Sequence, residues 1–550
     1  MKASFGVILM SVSAMTDEDN CCLADLLLTD PRNEKSRIER TKGGLLADSF
    51  RWILDNSEFQ RWHGGNQSQL LWIKGDAGKG KTMLMIGVIN ELQQQAVRSG
   101  KSSVTEVLSY FLCQGTDSRL NTATTILRGM IYLLASEQPF LISHLRKKYD
   151  HTGRKLFDDS SAFYGLSDVF RQMVQDPKLM TAYLVVDALD ECEVGLSQLL
   201  DLITWTVSAQ RTCVKWIVSS RNRYDIEQWL GLGDSHTRLS LESNADHISH
   251  AVDVYVDYKV SQLVSLRNDK ALQDQVRNKM HQKSDGTFLW VALVIDELRG
   301  ALRRDLSQVL SGIPKGLTPL YDRMIEQIQQ LEGSYPQVCL LTLATATLAY
   351  RPLHILEICL LAGLEEEIPD LGDLERIINM CGSFLTIRDN YVYFIHQSAK
   401  DYLTVNASHI IFPAGPERIH YDIFSRSING LSKTLRRDMY SLQDTGSVVK
   451  DVPNPDPLRS IRYSCVFWVD HLSNADDQSL DRKRELSDNG VIFAFLKEHF
   501  LHWLESLSLI YELSDGVLLI RKLLHIVRVC HIPPTIASGV LSDNSQTVSI

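Results

Sequence analysis

Residues Gly75 to Thr82 read GDAGKGKT and follow directly on the apolar run Leu70-Leu71-Trp72-Ile73. Glycine is needed wherever backbone N–H groups converge on an anion, because a Cβ would block the approach or φ must be positive. Gly75, Gly78 and Gly80 fill those positions, with Asp76, Ala77 and Lys79 completing the wrap. Lys81 is placed to reach β- and γ-phosphate oxygens as a point charge, and Thr82 to give its hydroxyl to Mg²⁺. A helix opening at Lys81 would aim its positive end at the same anion. The match to G-x-x-x-x-G-K-[ST] is complete. A chance glycine-rich turn is the competing reading, but the strand before it and the helical MLMIGVINEL after it are the context a triphosphate loop requires.

A second apolar run, Tyr183-Leu-Val-Val-Asp187, ends in a carboxylate and is followed by Ala-Leu-Asp190-Glu191. Mg²⁺ dehydrates reluctantly and takes one or two carboxylates together with phosphate oxygens, so Asp187 is predicted to hold it through water opposite Thr82. Asp190 or Glu191 could then orient an attacking water, the alternative for both being a helix-start acid that satisfies backbone N–H groups. A third strand, Val214-Lys-Trp-Ile-Val218, leads into Ser219-Ser220-Arg221, where an arginine can read the γ-phosphate; the alternative is a surface arginine paired with Asp225. In open parallel sheets ligands sit at the carboxyl ends of the strands, and three such ends here carry phosphate chemistry. Glu106 to Leu112 reads as a further strand, and Thr122 to Ser136 and Leu196 to Ala209 as amphipathic helices.

These elements must sit in a chain of 550 residues, which predicts three or four domains of roughly 150 residues each. The net charge of −10 argues against a broad nucleic-acid surface. Ten cysteines without a C-x-x-C pair point to reduced thiols in a cytoplasmic protein rather than to zinc or a disulfide framework. The apolar stretch Phe5 to Val12 could be read as a secretory core, but it is far shorter than the ~20 residues that span a bilayer. Val338 to Leu364 is interrupted by Arg351-Pro352, His354 and Glu357 and reads as two buried helices, so no membrane span is expected.

The expected organisation is a leading segment, 1–44, polar after Thr16 with a turn at Asp30-Pro31; a nucleotide-binding α/β domain, 45–235, closing with the loop Gly231 to His236; and a helical domain, 236–315. In the last of these, Ile248 to Leu266, Asp269 to Lys283 and Phe288 to Arg303 are helical, with Phe288 and Trp290 taken as core. The break Gly312 to Gly316 suggests a hinge. A region 316–410 carries hairpin strands Phe384 to Ile387 and Tyr391 to Phe394 around Arg388-Asp-Asn390. A C-terminal helical region, 411–550, contains an exposed linker Asp451 to Pro457 and an apolar stripe with Trp468 and Trp503.

With these motifs the chain resembles the NACHT nucleotide-binding proteins, in particular the fungal NOD-like receptors that include the vegetative incompatibility proteins, within the wider STAND NTPases. The resemblance is carried by GDAGKGKT at Gly75, by VVDALDE at Val185 with its D-x-x-D-E form, and by VSSRN at Val218. TDPRNEKSRIERTKGGLLADSFRWIL from Thr29, GTFLWVALV from Gly286, LTPLYDRMI from Leu317, FIHQSAKDYL from Phe394, RYSCVFWVDHL from Arg462 and FLHWLESLSLI from Phe500 extend it from about Cys22 to about Ile526. It implies an α/β P-loop NTPase domain, a parallel sheet with helices on both faces, followed by a mainly α region containing a winged helix. It also implies a signalling switch of fungal innate immunity or heterokaryon incompatibility, closed with a diphosphate and self-assembling into a homo-oligomer with a triphosphate. ATP/ADP and GTP/GDP fit equally, with Mg²⁺. The resemblance further implies that His396 touches the diphosphate in the closed state; a core histidine bonded to backbone is the alternative. Ala77 departs from the proline common in fungal members, and neither an effector domain nor a repeat array of known period is expected within this chain, which therefore reads as a truncated receptor, a gene-model fragment or a core that borrows its sensor and an unknown effector protein from partners. Two other functions compete: a P-loop enzyme with a second substrate, for which no further cluster of reactive side chains is evident, and a scaffold that binds nucleotide only for stability.

Overall fold

Parallel strands must be covered on both faces, so their sequences run continuously apolar, and the first unit is built on such runs. The computed structural model describes residues 15–65, 67–98, 106–117, 119–158, 161–208, 213–230, 236–267, 269–365, 371–442, 452–476 and 480–529. The chain divides into two units, Met1–Leu320 and Tyr321–Ile550.

The first unit holds a five-stranded sheet in the order β2-β3-β4-β1-β5, with β1 at Gln69–Lys74, β2 at Glu106–Leu112, β3 at Thr181–Asp187, β4 at Cys213–Ser220 and β5 at His236–Ser240. All pairings are parallel. Register aligns Lys74 with Ser220, and Leu112 with Asp187, so the carboxyl ends form one edge from which the phosphate loop, the acidic segment and Arg221 all emerge. On one face Trp72, Phe111, Leu184 and Trp216 join a core completed by helices Ala123–Glu137, Ala162–Val174 and Leu196–Val207. The helix Lys81–Arg98 packs against β2, β3 and β4. The strands and helices expected around the nucleotide site are therefore present, each within a few residues.

Three expectations change. The sheet does not end at 235: β5 pairs with β1 from Leu70↔His236 to Lys74↔Ser240, a short strand whose HTRLS sequence lacks the apolar run of its neighbours. Residues 231–235 of the expected closing loop, like Phe5 to Val12, lie outside the described residues. The leading segment forms two helices, Asp17–Leu26 and Pro31–Thr41. Asp30-Pro31 starts the second of these, with Asp30 as the N-cap accepting from the Arg32 N–H at 2.9 Å and proline at the first helical position, where its missing N–H costs nothing. Cys22, Leu23 and Leu26 of the first helix are buried in the sheet's core, and the buried Arg128 side chain donates to the carbonyls of Leu26 at 2.7 Å and Asp25 at 2.9 Å. Finally, the expected linker Asp451 to Pro457, of which 452–457 are described, is anchored at Asp456: this buried residue accepts from Tyr440 Oη at 3.0 Å and pairs with Arg462 at 2.7 Å.

In the second unit β7, Leu385–Arg388, and β8, Tyr391–Phe394, form a hairpin across Asp389 and Asn390, both at positive φ as a two-residue type I′ turn requires. β6, Leu353–His354, pairs with β8 to complete a three-stranded antiparallel sheet. Helices Tyr335–Leu348 and Ile355–Ala362 replace the long apolar region as expected, and among the described residues no helix is long and apolar enough to cross a membrane. Trp468 and Trp503, edge to face at 5.8 Å, lie in a second core with Phe424 and Phe495. The apolar stripe of the last helices is thus consumed largely within the unit.

Arg128→Met should free the first helix, because carbonyls of Asp25 and Leu26 lose a charged donor in a buried setting. A loss of about 2–4 kcal/mol is expected, with hydrogen exchange at residues 17–26 rising before that of the sheet.

Candidate nucleotide site

The start of the loop that follows β1 is fixed by backbone bonds to both neighbouring strand ends: Gly75 N–H donates to the Ser220 carbonyl at 3.2 Å, and Leu241 N–H to the Lys74 carbonyl at 2.8 Å. Gly78 and Gly80 adopt φ of 78° and 84°. A Cβ at Gly78 would come within 2.8 Å of Thr287 Cγ2, and one at Gly80 within 2.8 Å of the Phe288 ring. These two glycines are therefore required both for the left-handed turn and for the close approach of residues from the helical segment beyond the sheet.

Lys81 opens the following helix, and its ammonium donates to the carbonyls of Gly75 and Asp76, the latter at 2.9 Å. Burial lowers its pKa, opposed by the nearby carboxylates of Asp190, Asp187 and Glu191. Asp187 is almost fully buried at the tip of β3. Burial pushes its pKa up, and hydrogen bonds from the Ser219 and Thr82 hydroxyls pull it back. Thr82 and Asp187, predicted from sequence as the Mg²⁺ pair, are thus in contact. A hydroxyl and a strand-end carboxylate beside a glycine cradle are a donor set suited to a hard divalent cation together with phosphate oxygens.

The acids beyond Asp187 are held more tightly than the sequence suggested. Ala188 turns the chain through a left-handed conformation at φ 56°, with its N–H donating to Ser219 Oγ at 2.9 Å. Asp190 Oδ1 accepts from the Arg221 N–H at 3.0 Å, and Oδ2 lies 3.2 Å from Arg221 Nε. Arg221 is therefore paired with Asp190 and not with Asp225, which instead pairs with Arg223. This corrects the surface-pair alternative: β4 sits next to β3, so its final arginine meets the acidic segment directly. Glu191 Oε2 accepts from the Gly115 N–H at 2.8 Å. Burial, then the Asp190 carboxylate, pushes the Glu191 carboxyl up to about 7.

The comparisons agree with this geometry. The family described as Nephrocystin 3, N-terminal, matches residues 48–221, a span that contains the phosphate loop and ends at Arg221. Over 525 residues, 92% of its length, the chain is 45% identical to vegetative incompatibility protein HET-E-1 of Podospora anserina. The chain is thus similar to a fungal vegetative incompatibility protein over nearly all of its own length. It spans 38% of the length of that relative. Among solved structures it is similar to the Walker-type ATPase PABY2304 of Pyrococcus abyssi, at 13% identity and a TM-score of 0.29 over 69% of this chain and 100% of that one. It is also similar to the ADP form of the Aeropyrum pernix ORC2 protein, at 12% and 0.30 over 70% and 85%. The fold assignment rests on the sheet order and the phosphate loop.

The site also contains residues to which no motif points. Glu242, just past β5, accepts from the Asp76 N–H at 2.7 Å, and Asn222 Nδ2 donates to Asp76 Oδ1 at 3.2 Å. Ser219 carries the contact between β4 and Asp187. Phe288, taken as core, is only half-buried and lies against Gly80, whereas Trp290 is fully buried as expected. No spacing rule links these positions to the loop; only the sheet order brings them there. His396 belongs to the second unit, where its Nδ1 accepts from the Ser398 N–H at 3.0 Å as the N-cap of helix Gln397–Val405.

The raised Glu191 pKa has a definite sign. In the folded, nucleotide-free protein the proton is kept between about 4.5 and 7, where the unfolded chain has released it. Stability from this group is fully present below that window and is lost as pH rises through it. Glu191→Gln keeps an acceptor for the Gly115 N–H. It should exceed wild type in urea unfolding at pH 8.5 in EDTA by on the order of 2 kcal/mol, the difference shrinking toward pH 5; a constant difference would mean that Glu191 stays ionised.

Proposed function

We propose that the chain is the nucleotide switch of a NACHT receptor: in the cytoplasm it binds ATP or GTP with Mg²⁺, hydrolyses it slowly, and couples nucleotide state to self-assembly in incompatibility signalling toward an unidentified effector. The observation that carries this reading is the meeting of Lys81, Thr82 and Asp187 at one sheet edge beneath a loop whose glycines leave no room for side chains. When bound, Mg²⁺ would neutralise charge between the phosphates, and Thr82 and Asp187 are the residues that would hold it. Lys81 supplies the fixed positive charge, and the helix behind it supplies N–H donors.

Slow turnover is supported by the state of the two other acids. Asp190 is occupied by Arg221 and Glu191 accepts from the Gly115 N–H, so both acids are already engaged by the protein. Turnover without an activating signal should fall well below the enzyme median of roughly 10 per second. A rate of tens per second would favour an ordinary P-loop enzyme. Lys81→Ala removes the charge-assisted contacts to phosphate and should abolish triphosphate binding in a direct binding assay; unchanged affinity would remove the basis for the site.

In the second unit we read the three-stranded sheet with its flanking helices as the winged helix, and His396 as its nucleotide contact. Because Nδ1 accepts a backbone N–H, the ring proton is placed on Nε2, the tautomer that can donate to a phosphate. His396→Asn preserves a helix cap and should weaken ADP or GDP binding about tenfold while leaving the triphosphate nearly unaffected. If both affinities move together, the histidine serves only the helix.

A further inference from the structure

We propose that Lys79, the residue between the second and third glycines of the phosphate loop, is a positioning residue that fastens the loop to the turn between helices Lys270–Lys283 and Phe288–Gly300, and that this turn relays the state of the loop to the hinge segment 310–316. The proposal deepens the switch reading and rests on it for the signal that sets the relay in motion. Lys79 Nζ donates to the Asp285 carbonyl at 2.9 Å. Asp285 and Gly286 are both left-handed, at φ 53° and 61°, so the turn is a defined backbone shape and not a slack connection. Immediately beyond it, Thr287 and Phe288 lie where Cβ atoms on Gly78 and Gly80 would stand, so the loop rests on the turn along its whole glycine stretch.

The other side of the same turn grips the hinge. The Lys283 ammonium donates to the carbonyls of Leu310 at 3.0 Å, Ser311 at 3.1 Å and Ile313 at 2.6 Å. Trp290 Nε1 donates to the Pro314 carbonyl at 3.1 Å, and the Asp285 carboxylate pairs with Lys315 at 3.0 Å. All of these residues belong to the first unit, and the helix Leu317–Gln329 that follows the hinge carries the chain into the second. Residues 283–290 thus hold the phosphate loop with one set of groups and the hinge with another. A rearrangement of the loop backbone at Gly78–Gly80 must move the turn or be resisted by it, and linkage makes the coupling reciprocal: loosening the hinge changes nucleotide affinity.

Hydrogen exchange of the segment 310–316, followed in the full chain with and without saturating Mg²⁺ and a non-hydrolysable ATP analogue, tests the relay. Wild type should show a nucleotide-dependent change in exchange. Lys79→Met and Lys283→Met should each lose that response at saturating nucleotide, and Lys79→Arg, which keeps the donor, should restore it. Without nucleotide, Lys79→Met should exchange about tenfold faster at 310–316, as expected for loss of one charge-assisted hydrogen bond from the turn. A response that survives in both methionine variants, or no response in wild type with nucleotide demonstrably bound, overturns the relay while leaving the nucleotide reading in place. If wild type binds no nucleotide, that reading falls, and the nucleotide-free comparison decides the relay alone: unchanged exchange in Lys79→Met contradicts it, and faster exchange supports it.

Discussion

A carboxylate and an ammonium removed from water must find partners within a few ångströms, and the first unit is organised around meeting that demand for Asp187 and Lys81. Asp187 is buried at the tip of a central strand, where the Ser219 and Thr82 hydroxyls are its hydrogen-bonding neighbours. Lys81 is turned onto two loop carbonyls. The Asp187 arrangement is not available without the parallel register that brings the ends of β1, β3 and β4 to the same level. The sheet order follows from the same constraint: β4, lying between β1 and β3, contributes Ser219 to one neighbour and a backbone acceptor at Ser220 to the other.

Around this centre the polar groups are paired in a way that restrains chemistry as much as it enables it. Arg221 locks Asp190, the Gly115 N–H holds Glu191, and Glu242 caps the start of the phosphate loop. An active site built for rapid turnover leaves a base free to reach its water. Here the acids are engaged by the protein itself. The turn at Asp285–Gly286 extends this from the loop to the helices that follow, so that binding and hinge geometry are parts of one bonded network.

The strands and the phosphate loop were legible because their signals are local: continuous apolar runs, a glycine spacing, and acids at strand ends. β5 was not, since HTRLS is an edge strand with one face of mixed polarity, defined by its pairing with β1 and not by its own pattern. The helical character of the leading segment was hidden by its polarity; among its described residues Cys22, Leu23, Leu26, Pro31 and Ile38 are buried, too few to announce a periodicity. Arg221 was identified as a site residue, but its partner was not, because the choice between Asp190 and Asp225 depends on which strands are neighbours. Glu242 and Phe288 are far from the loop in sequence and reach it only through tertiary structure.

The claim that most of this rests on is that the sheet edge holds a nucleotide tightly enough to serve as a resting state. Releasing and identifying the nucleotide carried by the protein as purified, beside Lys81→Ala prepared in the same way, tests it directly. A diphosphate, ADP or GDP, in near-equimolar amount in wild type and absent from the variant is the expected result. A wild-type protein that carries none and exchanges added nucleotide freely would contradict it.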